Sequence, residues 1–150
     1  THDVTKPAKA DSQLRPAFFH GYVDYPSELS SVFHDVFIRL IQNSCAKIDR
    51  KNVDVLQGRS FCQLPISSDK ISVDTPHIDI KEDHFVMLYY VCDSDGDTII
   101  YNEQIKSETY TLQRRVTPKQ GRVVLFDGSY YHTAEQPLNN IRCVVNYNLR

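Results

Sequence analysis

The stretch Asp74-Thr75-Pro76-His77-Ile78-Asp79 decides how this chain is read. Pro76 restricts the residue before it to extended backbone, so a strand rather than a helix is expected to start here. On a strand, side chains at i and i+2 share one face. His77 and Asp79 should therefore stand side by side as an imidazole and a carboxylate. One more imidazole from a distant strand would complete a set of two histidines and one carboxylate. Such a set fills one face of an octahedral metal and leaves the other open, the usual cradle of non-haem Fe(II). Six histidines and fourteen aspartates in 150 residues supply about half of one His-x-Asp triplet by chance. The triplet therefore gains weight only from what surrounds it.

An apolar run rich in strand formers follows, Phe85-Val86-Met87-Leu88-Tyr89-Tyr90-Val91. The turn Asp93-Ser94-Asp95-Gly96-Asp97 then leads into Thr98-Ile99-Ile100-Tyr101. Further on, Pro118-Lys119-Gln120-Gly121 turns into Arg122-Val123-Val124-Leu125-Phe126-Asp127. His132 comes shortly after that run, and Arg142 opens the last one. Across 141–149, Arg142, Val144, Asn146 and Asn148 share one face; Ile141, Cys143, Val145, Tyr147 and Leu149 share the other. The apolar face should pack on a neighbouring layer. The polar face is either solvated or lines a wet cavity, where Arg142 could pair bidentately with a carboxylate.

Taken in order, Pro76-His77-Ile78-Asp79, Leu88-Tyr89-Tyr90, Gly96-Asp97-Thr98, Pro118-Lys119-Gln120-Gly121, Leu125-Phe126-Asp127, His132 and Arg142 carry a resemblance. Residues 75–149 resemble the catalytic core of the 2-oxoglutarate- and Fe(II)-dependent dioxygenases, most of all the prolyl-4-hydroxylase-like branch. That branch often has Gly-Gly-Glu-Thr where this chain has Asp95-Gly96-Asp97-Thr98.

The resemblance implies a mainly β fold with a flanking helix, a double-stranded β-helix of the jelly-roll, cupin-like kind. It implies that His77, Asp79 and His132 are the metal ligands and catalytic centre, and that Arg142 binds the distal carboxylate of 2-oxoglutarate. Tyr90 is expected to assist at that carboxylate, with Tyr89 as the alternative if the register slips by one. Asn146 and Thr98 are further candidates for the pocket wall.

The implied cofactors are Fe(II), 2-oxoglutarate as cosubstrate and O₂, with ascorbate an admissible reductant. The implied reaction is hydroxylation of an aliphatic C–H, with release of succinate and CO₂. Family halogenases lack the carboxylate ligand, so Asp79 points to hydroxylation rather than chlorination. The expected substrate is a prolyl or other amino-acid residue of a peptide or protein, or a small molecule. The nucleic-acid demethylase branch has a second arginine six residues after the first, where this chain has Asn148. A reading of another class is a non-catalytic cupin-like module that binds a metal or small ligand, but such a module needs no 2-oxoglutarate anchor.

The remaining features agree. At 150 residues and a net charge of −2 the chain fits one domain without a strongly basic face, so no nucleic-acid partner is expected. No run reaches the roughly 18 apolar residues of a membrane span. Cys45, Cys62, Cys92 and Cys143 form no CxxC pair and read as reduced, structural thiols of a cytoplasmic protein.

The single domain is expected to divide into a polar arm over 1–16, helix and strand support over 17–64, and the catalytic core over 65–150. Ser27 is a candidate N-cap for an amphipathic helix to about residue 46, with Leu29, Val32, Phe33, Val36, Phe37, Leu40 and Ile41 as its buried stripe. Residues 53–64 read as strand interrupted near Gly58. From residue 71 onward only strands and turns are expected. Asp93, Asp95 and Asp97 lack the following bidentate glutamate of a calcium loop and read as a solvated turn. His20, His34 and His84 lie outside the constellation. Residues 1–25 and 102–115 are the segments expected to meet substrate.

Overall fold

The computed structural model describes residues 4–5, 16–66 and 73–150; most of the polar arm therefore lies outside the described residues. Among the described residues, ten strands and one α-helix follow in the order β1 (Val4–Thr5), β2 (Ala17–Asp24), β3 (Glu28–Leu29), α1 (Asp35–Ala46), β4 (Val55–Gln63), β5 (Phe85–Tyr90), β6 (Thr98–Tyr101), β7 (Tyr110–Val116), β8 (Val123–Asp127), β9 (His132–Ala134) and β10 (Arg142–Leu149). They build a four-stranded sheet, β1-β7-β6-β9, and a six-stranded sheet, β3-β2-β4-β10-β5-β8. The pairings are antiparallel. After β5 the chain crosses to the smaller sheet for β6 and β7, returns for β8, crosses again for β9 and ends in the larger sheet with β10, giving the jelly-roll expected from the sequence. From residue 73 on, the described chain is strands and turns alone.

Alternation along the strands sorts the two faces of the larger sheet. Val145, Tyr147 and Leu149 point outward and pack with Met87, Tyr22 and the helix residues Ile41 and Cys45. Arg142, Val144 and Asn146 point inward, toward a cavity between the sheets. Gly58 does not interrupt β4, which runs unbroken from Val55 to Gln63. It sits directly opposite Tyr147, whose ring lies 2.1 Å from where a Cβ would be, so glycine is present for the ring's sake rather than as a break.

The helix starts later than its apolar spacing predicts. Ser27 has φ 78°, the left-handed region, and so cannot supply the extended backbone of an N-cap. The chain instead turns at Pro26-Ser27 so that Glu28–Leu29 pairs with β2. Ser31 Oγ accepts from Phe33 N at 3.3 Å and opens a 3-10 turn over Val32–His34, and α1 begins only at Asp35. The tighter turn takes the first half of the stripe off the core: Leu29, Val32, Phe33 and Val36 are exposed, whereas Phe37, Leu40 and Ile41 pack on the sheet.

Candidate metal centre

His77 lies in no regular strand. It forms a single antiparallel bridge with His132, the first residue of β9, and Asp79 follows in a bend. The bridge is reciprocal: His77 N donates to His132 O, and His132 N to His77 O, both at 3.0 Å. Two histidines fixed directly opposite each other present their rings on one side, with centroids 4.8 Å apart. Asp79 reaches the same point. Its Oδ1 is 3.6 Å from His77 Nε2 and its Oδ2 is 3.7 Å from His132 Nε2. All three side chains place a ligand atom within 4.8 Å of the others.

The tautomers suit a metal. His77 Nδ1–H donates to Thr75 O at 3.0 Å, and His132 Nδ1–H donates to Tyr130 O at 3.1 Å. Each ring thus spends its proton on a carbonyl and turns a bare Nε2 lone pair to the centre. Burial alone would lift the Asp79 carboxyl, but contacts from both imidazoles and the Arg59 charge hold it far below the usual carboxylate range, so it is an anion. Burial pulls the His77 imidazole down, yet Asp79 and the Thr75 carbonyl together raise it above its ordinary value.

Two further residues grip Asp79. Arg59 Nη2 donates to Oδ1, and Asn146 Nδ2 donates to Oδ2 at 3.0 Å. They are cross-strand partners on β4 and β10, so one rung of the sheet holds both oxygens. Arg59 also lies over the Phe61 ring, 5.1 Å from its centroid. Arg59 Nε and Asn146 Oδ1 are buried and unpartnered among the described residues, which leaves polar capacity beside the ligand carboxylate. Sequence reading placed Asn146 on the right face but missed Arg59. The signal available was its alternation with Phe61 and Gln63 on one face of β4.

The same cavity, of about 710 Å³, reaches Arg142, with Leu88 and Val144 as apolar wall. Arg142 is 4% exposed. Its Nε donates to Gly96 O at 2.9 Å, Nη1 to Gln63 Oε1 at 2.9 Å, and Nη2 to Thr98 Oγ1 at 2.7 Å. These acceptors are all neutral. Burial pushes the Arg142 pKa down, the mark of a cation stripped of water without a full counter-charge. An anion from outside would meet that need.

Tyr90 reaches Arg142 only at one remove, because its hydroxyl donates to Thr98 Oγ1 at 2.8 Å. Gly96 is required here: a Cβ would fall 2.6 Å from Glu135 O and 3.0 Å from Arg142 Cδ.

The three acidic residues of the β5–β6 turn are structural. Asp93 accepts from Gln120 N, Asp97 pairs with Arg115 at 3.4 Å, and Asp95 accepts from the amides of Leu138, Asn139 and Asn140.

The residues fit the groups that the resemblance implies: three convergent donors with open sides for Fe(II), and a buried guanidinium held by neutral acceptors in the same cavity for a dicarboxylate.

No protein-family model and no curated protein matches the sequence. Solved structures do match. A 2OG-Fe(II) oxygenase family oxidoreductase from Burkholderia pseudomallei aligns with TM-score 0.62 at 11% identity, covering 96% of this chain and 72% of its own. A viral collagen prolyl hydroxylase from Paramecium Bursaria Chlorella virus-1, determined with 2OG, aligns with TM-score 0.56 at 12% identity over 91% of this chain and 79% of its own. IDO from Bacillus thuringiensis gives 0.54 at 13% identity over 94% and 76%. The likeness is one of fold: this chain has the jelly-roll architecture of 2OG-Fe(II) oxygenases, with a His-Asp-His cluster inside it.

Proposed function

We propose that this chain is an Fe(II)- and 2-oxoglutarate-dependent oxygenase that hydroxylates an aliphatic C–H, on a prolyl or other amino-acid residue or on a small molecule. One observation carries the reading: three metal-donor side chains and a buried guanidinium whose hydrogen-bond acceptors among the described residues are neutral share a single cavity. A viral collagen prolyl hydroxylase among the structures of like fold supports the prolyl alternative.

His77, Asp79 and His132 would hold the iron through Nε2, a carboxylate oxygen and Nε2. Arg142 would bind the far carboxylate of 2-oxoglutarate, with Gln63 and Thr98 holding the guanidinium in place. Leu88 and Val144 would form the apolar wall of the space between them. When bound, iron and 2-oxoglutarate supply the oxidising chemistry, with succinate and CO₂ as coproducts.

The test is spectroscopic. Anaerobic addition of Fe(II) and 2-oxoglutarate should produce a visible metal-to-ligand charge-transfer band. His77→Ala should abolish the band and Arg142→Ala weaken it. A wild-type protein that gives no band sinks the proposal. Succinate release stimulated by panels of prolyl peptides, other peptides and free amino acids then sorts the substrate classes.

A further inference from the structure

On the back of the rung that carries Arg142 stand two cysteines. Cys62 on β4 and Cys143 on β10 are direct cross-strand partners, one step outward in register from Gln63 and Arg142. Both are free and only partly buried. An antiparallel ladder alternates wide hydrogen-bonded pairs with narrow non-hydrogen-bonded pairs, whose side chains are closer.

Two backbone bonds show which kind this is. Cys143 O accepts from Val91 N at 3.0 Å, so Cys143 turns its backbone toward β5 and away from β4. Leu64 N donates to Pro16 O at 3.0 Å, so Leu64, and by alternation Cys62, turns toward β2 and away from β10. Cys62 and Cys143 therefore form a narrow pair. Their Cα atoms should be about 4.5 Å apart, inside the span that a disulfide bridges.

We propose that Cys62 and Cys143 are an oxidation site, closed by a peroxide into a cross-strand disulfide that locks β4 to β10 beside Arg142. The Cys62 sulfur attacks one peroxide oxygen; the S–O bond forms, the O–O bond breaks, and hydroxide leaves to become water. The Cys143 sulfur gives up its proton and attacks the sulfenic sulfur, the S–O bond breaks, and a second water forms. Two thiols lose two electrons and two protons in all, and one peroxide is reduced to two waters. The order of attack follows from the surroundings. Burial pushes the Cys143 thiol up to about 11, with Cys62 beside it adding to the rise, so Cys143 stays protonated and resolves rather than initiates. Cys92 is the rival partner, but its S–H is directed at Ile141 O, at 3.4 Å. The site is separate from the metal cavity and does not depend on the oxygenase reading.

The experiment treats the reduced full chain with a small excess of hydrogen peroxide, blocks the remaining thiols and maps the digested peptides by mass spectrometry. The expected product is lighter by two hydrogens, links the peptides of Cys62 and Cys143, unfolds at a higher temperature, and reverts with dithiothreitol. Cys62→Ser and Cys143→Ser should each remove the link, while Cys92→Ser leaves it in place. A link through Cys92, a gain of oxygen atoms without a link, or no reaction overturns the proposal, and the wild-type map decides this even if a variant fails to fold.

Discussion

Arg142 is the residue on which the proposed 2-oxoglutarate binding turns. Three neutral acceptors take one N–H from each of its nitrogens, but hydrogen bonds to neutral partners do not repay the loss of water around a charge. Removing it should therefore cost binding first. Arg142→Met is expected to raise the Kd for 2-oxoglutarate by about 30-fold or more, equivalent to about 2 kcal/mol, measured by calorimetry on the Mn(II)-loaded protein. Asn146 gives a second prediction, because it holds the oxygen of Asp79 that Arg59 does not. Asn146→Leu should weaken Mn(II) binding by about 10- to 100-fold, followed by competition with a coloured chelator. His77, Asp79, His132 and Arg142 were legible in the sequence because few residue types bind metals or carboxylates and their order was informative. Arg59 was not, because its meaning depends on the β4–β10 register, which brings it opposite Asn146 although β5 to β9 lie between them in the chain. Tyr90 meets Arg142 through Thr98 Oγ1, a depth that alternation along a strand does not report.

The helix shows the same limit at the level of an element. Its apolar spacing was plain, yet the spacing continues through Val32 and Phe33, which a 3-10 turn carries to the surface. Periodicity cannot report where a helix begins when a capping serine and a short strand compete for the same residues; Ser31 and the β2–β3 pairing decided it. The two halves of the stripe should respond differently to substitution. Val36 is 70% exposed and Ile41 is 3% exposed. Val36→Lys should shift stability by less than about 0.5 kcal/mol, while Ile41→Ala should cost about 2–5 kcal/mol. Urea unfolding followed by circular dichroism measures both. Equal losses would show that the exposed half is covered after all. The strands were easier to read than the helix, because alternation holds all along β10 and assigns Arg142 and Tyr147 to opposite faces without reference to any partner.

The whole molecule is two sheets joined by crossings, and its acid sensitivity should follow from how those crossings are tied. Asp95, in the β5–β6 crossing, accepts from Leu138 N at 3.2 Å, Asn139 N at 2.9 Å, Asn139 Nδ2 at 2.7 Å and Asn140 N at 3.2 Å, all in the β9–β10 crossing. One carboxylate thus ties two of the passages between the sheets together, at the end of the cavity where Gly96 and Arg142 meet. Burial would raise its pKa, but the Asn139 side chain and the Asn140 and Asn139 amides outweigh that and lower it below 3.8. A folded pKa below the unfolded one means that the native state holds the proton more weakly. Stability from Asp95 is therefore fully present above the unfolded value and is lost as pH falls through the folded value. Asp127, lowered by Ser129, acts with the same sign. Asp79 does so more strongly, and comparison with Asp95→Asn separates the crossing from the metal centre. Wild type should melt at a higher temperature than Asp95→Asn by a constant margin from pH 7 down to about pH 5. The margin should then shrink as pH approaches 3, because the carboxyl is protonated in both states below both pKa values. Thermal unfolding at closely spaced pH values reads this directly, and a margin that stays flat or widens toward acid would show that Asp95 does not tie the two crossings as an anion.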